Sequence, residues 1–191
     1  MKKITAAALT ILFLTAATAR GQDAMEFFDQ GLHSPLAYKR IAYFTRAIQA
    51  DPDLTVAYEH RALEYYFQRQ FDKAIQDYDR VIAAKSMDAL LFLRRGASYL
   101  KKEKGSGYRA EFSKLASHYK HGRRPEPTEL LDRAIADLNR AIELNPDLGS
   151  AYGYRAEAYR IKGMTQAALD DANRAIQMDG EQRSIARAYA T

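Results

Sequence analysis

The chain copies itself at a fixed step of about 34 residues, and no other feature constrains its fold as much. Ala134, Asp137, Arg140, Ala141 and Ile142 recur as Ala168, Asp171, Arg174, Ala175 and Ile176. Upstream, Arg61, Ala62 and Tyr65 recur as Arg95, Gly96 and Tyr99 at the same step. A fixed period of this size marks supersecondary units stacked one on the next, each too small to bury its apolar face alone. Such a chain offers an extended surface. The sequence describes that surface but not the partner that uses it.

Each unit reads as two amphipathic helices. Tyr58, Arg61, Ala62 and Tyr65 stand at i, i+3, i+4 and i+7, one helix face, and Ala74, Asp77, Tyr78 and Val81 repeat the spacing. Lys162-Gly163 separates two such halves, where glycine can end a helix in the left-handed conformation. Pro52 and Pro146 close two units, because proline cannot continue a helix interior.

The run Tyr58-x-x-Arg61-Ala62-x-x-Tyr65, followed by Ala74-Ile75-x-Asp77-Tyr78-x-Arg80, resembles the tetratricopeptide repeat. Ala62, Gly96 and Ala156 match that repeat's small position in its first helix. Ala74, Ala134 and Ala168 match the first small position of the second helix, and Ala47, Ala141 and Ala175 the last. The physics agrees: antiparallel helices approach closely only where side chains are small, and a larger one overpacks by about 1–3 kcal/mol. The resemblance covers most of the chain and is specific in three units. It implies an all-α fold, an α-α superhelical solenoid of about 3.5 units. The sequence also departs from the family. Arg61, Arg95 and Arg155 stand where an aliphatic residue is usual, Ser86 and Gly180 replace the closing proline, and Arg40 occupies the small position of the first unit. Helices are expected over residues 36–50, 53–68, 71–84, 87–102, 128–144, 147–161 and 165–178. A lead-in over 20–32 precedes them, and a short, partly polar helix over 182–189 follows.

The period breaks once. Ala74 to Ala134, Arg95 to Arg155 and Tyr99 to Tyr159 all overshoot one period by the same amount. Their agreement places an insertion in the third unit, at about 104–127. Tyr108, Phe112, Leu115 and Tyr119 give it an apolar helix face, and glycines flank it as hinges. Insertions in such arrays map to loops on one face, often a working face. Residues 101–127 carry eight cations against three acids, a net +5, while the whole chain is +5. The cations are Lys101, Lys102, Lys104, Arg109, Lys114, Lys120, Arg123 and Arg124.

The N-terminus reads as a secretory signal peptide, residues 1–19, with the solenoid over 20–191. Lys2 and Lys3 precede an apolar run, and Ala17-Thr18-Ala19 is an A-x-A cleavage site, with cleavage expected after Ala19. The apolar run from Ile4 to Ala19 is shorter than the roughly 20 residues of a spanning helix, which disfavours an uncleaved anchor. The mature chain is therefore expected to be exported, to the periplasm in a Gram-negative cell. The absence of cysteine excludes disulfides, thiolate metal sites and a cysteine nucleophile.

Two rows of charge keep the register of the repeat: Arg61, Arg95 and Arg155 on first helices, and Asp77, Asp137 and Asp171 on second helices. An anion-binding ladder is one reading. Structural pairing is the favoured one, since arginine's fork of donors suits a carboxylate. On that reading Arg95 prefers Asp77 of the preceding unit to Asp137, Arg155 prefers Asp137 to Asp171, and Arg61 is left without a partner.

In the family this chain resembles, first helices line the concave surface. The resemblance thus implies a groove of Val56, Glu59, His60, Leu63, Tyr66 and Phe67, then Leu90, Leu93, Arg94 and Leu100, then Tyr154, Glu157 and Ile161. The Lys and Asn pair with which some members clamp a peptide carboxylate is missing. An apolar, aromatic groove suits an amphipathic helix or an extended apolar peptide, with Tyr66 and Phe67 as its strongest anchors. The alternative is that the chain's own lead-in or insertion helix covers it.

The basic insertion could grip nucleic acid, but an exported chain rarely meets any; anionic lipid headgroups, an acidic protein patch or plain solvation fit better. His118 and His121 share a helix face without a supporting ligand set, and a solvated helix is the preferred reading. No Ser-His-Asp order, HExxH or phosphate-binding glycine run is present. The expected function is a non-catalytic scaffold, without cofactor or metal. It binds a protein or peptide in the cell envelope; the alternative is an adaptor whose basic insertion docks on anionic membrane or an acidic partner.

Overall fold

A computed structural model describes residues 21–85, 87–105 and 129–189, with 181–189 as backbone only. The signal segment 1–19 lies outside them. So does the insertion, apart from Lys104 and Gly105. The described residues form eight helices and no strand. They fall into two compact units, residues 1–68 and 69–191, and each is taken by itself.

In the first unit, residues 21–33 form α1, Ala37–Ala50 form α2 and Thr55–Phe67 form α3. The lead-in is thus a full helix of the fold. Its Ala24 is buried, and Phe28 lies 5.7 Å from the Phe44 ring. Phe44 and Ala47 of α2 and Ala57 and Ala62 of α3 complete the core. Pro52 sits in the turn between α2 and α3. There the Asp51 side chain accepts the Asp53 N–H at 3.0 Å, while the Leu54 N–H donates to the Asp51 carbonyl.

The second unit contains α4 (Phe71–Ala84), α5 (Ala89–Gly105), α6 (Glu129–Leu144), α7 (Gly149–Lys162) and α8 (Thr165–Tyr189). The turn around Pro146 repeats the one around Pro52. Asn145 accepts the Asp147 N–H, and the Leu148 N–H donates to the Asn145 carbonyl. Gly163 ends α7 with φ 79°, the left-handed conformation glycine adopts without strain, and the Met164 N–H reaches back to the Tyr159 carbonyl.

α5 is the centre of this unit and touches α4, α6 and α7. Leu91, Phe92, Leu93, Gly96, Ala97, Ser98, Tyr99 and Leu100 are all buried, so it is enclosed almost all round. Ile75, Tyr99, Leu100, Leu131, Ala134, Ala158 and Ile161 form one apolar cluster; Phe92, Leu93, Leu138, Ala141 and Ala151 form another. Complete burial of a leucine side chain contributes about 1.5–3 kcal/mol, so Leu91, Leu100, Leu131 and Leu138 anchor the unit. The small positions serve close approach: a Cβ at Gly96 would lie 3.1 Å from the Ala134 carbonyl oxygen and 3.2 Å from the Asp137 Cβ.

One expected boundary is corrected. The helix that begins at Thr165 does not stop near 178 to restart at 182; it continues through Gly180 to Tyr189. Glycine in a helix interior costs only about 1 kcal/mol, against about 3 for the proline that closes other units.

Candidate functional site

The arginine row forms a regular construction among the described residues. Arg155 Nε and Nη2 donate to both carboxylate oxygens of Asp171 at 2.7 and 2.8 Å, and its Nη1 donates to Asn139 Oδ1 at 2.7 Å. Arg95 does the same with Asp137, at 2.8 and 2.7 Å, and reaches Asp79 at 2.7 Å. In the first unit Arg61 donates to Thr45 Oγ1 at 3.1 Å. Each guanidinium also lies over neighbouring rings: Arg61 over Tyr58 and Tyr65, Arg95 over Phe92, Arg155 over Tyr152 and Tyr159. These arginines fasten one helix pair to the next, as structural pairing predicts, but three details differ. Arg95 chooses Asp137 over Asp77, Arg155 chooses Asp171 over Asp137, and Arg61 has a partner. The acceptor on the preceding pair is not the aspartate row but Thr45, Asp79 and Asn139, each 16 residues before its arginine. Their common signal is spacing, since the three residue types differ.

The electrostatics follow from this burial. Desolvation works against the charged Arg95, yet its bonds to Asp137 and Asp79 hold its pKa above the ordinary value. Burial pushes the Asp137 carboxyl upward, more than Arg95 lowers it. Bonds from Arg160, then from Lys104, bring Glu157 down to about 2 against the opposing effect of its burial.

A second ladder escaped the sequence reading. Lys102 pairs with Asp72, and Lys162 with Asp132, at the same separation along the chain. Lys104 pairs with Glu157 at 2.7 Å. Lys102 and Lys104, assigned to the basic insertion by sequence, are thus held in pairs within the second unit. Lys101 is half-buried, and Arg109, Lys114, Lys120, Arg123 and Arg124 lie outside the described residues, as do His118 and His121.

The expected groove residues divide between the two units. In the first, Val56, Glu59, His60, Leu63 and Tyr66 are half-buried. Phe67 is 69% exposed, and the Tyr66 ring meets it edge-on at 5.8 Å. His60 is engaged by Phe28 and Phe44, at 5.2 and 5.6 Å, so the lead-in helix covers that position. In the second unit Leu90 is 45% exposed, and Arg94, Tyr154 and Glu157 are half-buried. Leu93, Leu100 and Ile161 are corrected: at 8%, 1% and 8% exposure they belong to the core clusters. The reason is the enclosure of α5, which leaves it little outward face. Among the described residues no group of three or more His, Asp or Glu could hold a metal ion, and no helix is long and apolar enough to cross a membrane.

No family model matches the chain. Hsc70-interacting protein 1 of Drosophila melanogaster is 25% identical over 142 residues, 74% of this chain and 31% of its own length. Tetratricopeptide repeat protein 36 of Caenorhabditis elegans is 41% identical over 56 residues, 29% of this chain and 31% of its own. The chain thus spans about a third of the length of these curated relatives. Among solved structures, MamA from Desulfovibrio magneticus RS-1 matches over 87% of this chain and 77% of its own, with a TM-score of 0.61 at 14% identity. A further crystal structure of MamA covers 88% of this chain and 81% of its own, with a TM-score of 0.59 at 16% identity. At such identities the likeness is one of fold. With the repeat period and the helix pairs, it shows a helical solenoid fold of the tetratricopeptide-repeat type.

Proposed function

We propose that the chain is a non-catalytic scaffold that binds a protein or peptide partner through the exposed face of α3, with Tyr66 and Phe67 as anchors. The observation that carries this reading is Phe67. It is a large aromatic left 69% exposed beside Tyr66, whereas Phe27, Phe28 and Phe44, the other described phenylalanines of the unit, are at least partly covered. Aromatic residues dominate binding energetics, and truncating such an anchor costs about 2 kcal/mol or more. The printed name of the Drosophila relative, an Hsc70-interacting protein, supports a role in protein association. The signal-like N-terminal sequence supports a scaffold that works in the cell envelope, after cleavage before Arg20. In the membrane-docking alternative, two of eight cations, Lys102 and Lys104, are already paired, so scaffold binding is preferred.

In-cell crosslinking with mass spectrometry tests the reading. Partners captured by the wild-type chain should be lost from the Tyr66→Ala, Phe67→Ala double variant. Unchanged capture of every partner would show that this face is not the site. N-terminal sequencing of the exported form should begin at Arg20; a membrane-bound product retaining Met1 would reject the envelope assignment.

A further inference from the structure

The second helices α4 and α6 bury a face that, among the described residues, α8 leaves open. Ala134, Leu138 and Ala141 of α6 are fully buried, and so are Ala74, Tyr78 and Val81 of α4. The same register places in α8 are Ala168, Ala172 and Ala175, all half-exposed. Ile142 packs into the cluster of Leu138, Ala141 and Ala151, and Ile135 into its neighbour, whereas their counterparts Ile176 and Leu169 are 72% and 53% exposed. The element that covers α6 is α7: Ala151, Leu148 and Tyr154 lie in the same cluster as Ile142. Among the described residues α8 has no equivalent cover, because the helix continues unbroken to Tyr189.

The polar half of the joint is present as well. Thr45, Asp79 and Asn139 each accept an arginine from the helix that follows. The next place in that row is Asn173, exposed on α8. Leu169, Ala172, Asn173 and Ile176 stand at i, i+3, i+4 and i+7, so they form one stripe.

We propose that this stripe docks an amphipathic, arginine-bearing α-helix of a protein partner, seated on α8 as α7 is seated on α6. Its apolar side chains pack on Leu169, Ala172 and Ile176, and a guanidinium donates to the Asn173 side-chain oxygen. Continuity with the joints inside the chain fixes this occupant, since at all three the covering helix brings an arginine to this row. The face is distinct from Tyr66 and Phe67 and does not rest on their role.

The probe is a fluorescent peptide with the sequence of residues 147–163, the chain's own joint-forming helix, titrated into the full chain. Saturable, micromolar binding is expected. Ile176→Glu in the protein should weaken it by about tenfold or more, and Arg155→Ala in the peptide or Asn173→Ala in the protein by several-fold, as loss of a charged hydrogen bond requires. The Tyr66→Ala, Phe67→Ala protein should bind the peptide like wild type. Both α8 positions are exposed, so far-UV circular dichroism should be unchanged; if Ile176→Glu unfolds, Leu169→Lys gives the same reading. Absence of binding at millimolar peptide, or equal binding by the Ile176→Glu and Leu169→Lys proteins, overturns the proposal. A concentration-dependent dimer in sedimentation that Ile176→Glu abolishes also overturns it, because the occupant would then be a second copy.

Discussion

Arg95 and Asp137 show how little an ion pair's value depends on being an ion pair. Both are largely shielded from water and bond through two parallel contacts. Deleting one partner strands the other, which costs about 3–5 kcal/mol, whereas exposed pairs are worth about 0–1 kcal/mol. Arg95→Ala should therefore lower stability in urea melts by about 3 kcal/mol, while Arg140→Ala, which removes an exposed pair with Glu143, should change it by less than about 0.5. Glu157 gives the pH counterpart. Its pKa lies at about 2, below the usual 4.5, so the folded state favours the ionised form. The stability it supplies is complete above the unfolded value and is lost as pH falls through about 2. The melting temperature of Glu157→Gln should thus fall less steeply than that of wild type between about pH 5 and pH 2, as calorimetry would record.

At the scale of elements, α8 depends on one residue, Gly180. Proline at the equivalent place between α6 and α7 forces a turn; glycine permits continuation. Gly180→Pro should split α8, and amide exchange should speed up in residues 180–184 while those of α7 stay protected. The example also shows what the sequence made legible. Helix α4 is read with its ends correct, because Ala74, Ile75, Tyr78 and Val81 mark a single buried stripe between clear breaks. α5 could not be read this way. Leu93 and Leu100 look like groove residues when one face is assumed to be buried, but a helix packed on by three others has no single inward face. The acceptors Thr45, Asp79 and Asn139 stayed hidden for another reason: the repeats keep the place of an oxygen while changing the residue that carries it. Phe67 was legible because an aromatic at the outer end of an amphipathic pattern has no inner position to fill.

For the whole molecule, the insertion tests how separable its parts are. Arg155 reaches Asp171 across 16 residues, and Arg95 reaches Asp137 across 42, with the same two-fold contact at 2.7–2.8 Å. The longer path between Arg95 and its aspartate leaves the joint unchanged. Loop closure varies slowly with length, about 0.6 kcal/mol per doubling. Replacing residues 106–124 by a short Gly/Ser turn, with Lys104 kept for Glu157, should therefore preserve the helical signal and a cooperative melt. A chain that no longer folds would show that the insertion belongs to the core.

The arginine joints have a consequence for how such a chain can lengthen. Each repeat holds a donor for the segment before it and an acceptor for the one after. A tandem duplication therefore arrives with both halves of its fastening already encoded, and needs no compensating substitution at either seam. Copy number can drift by unequal recombination while every internal seam keeps its bond. Point changes to the arginine alone break both the seam to the preceding repeat and the fastening within its own, and so purifying selection should weigh on that codon more heavily than on any acceptor.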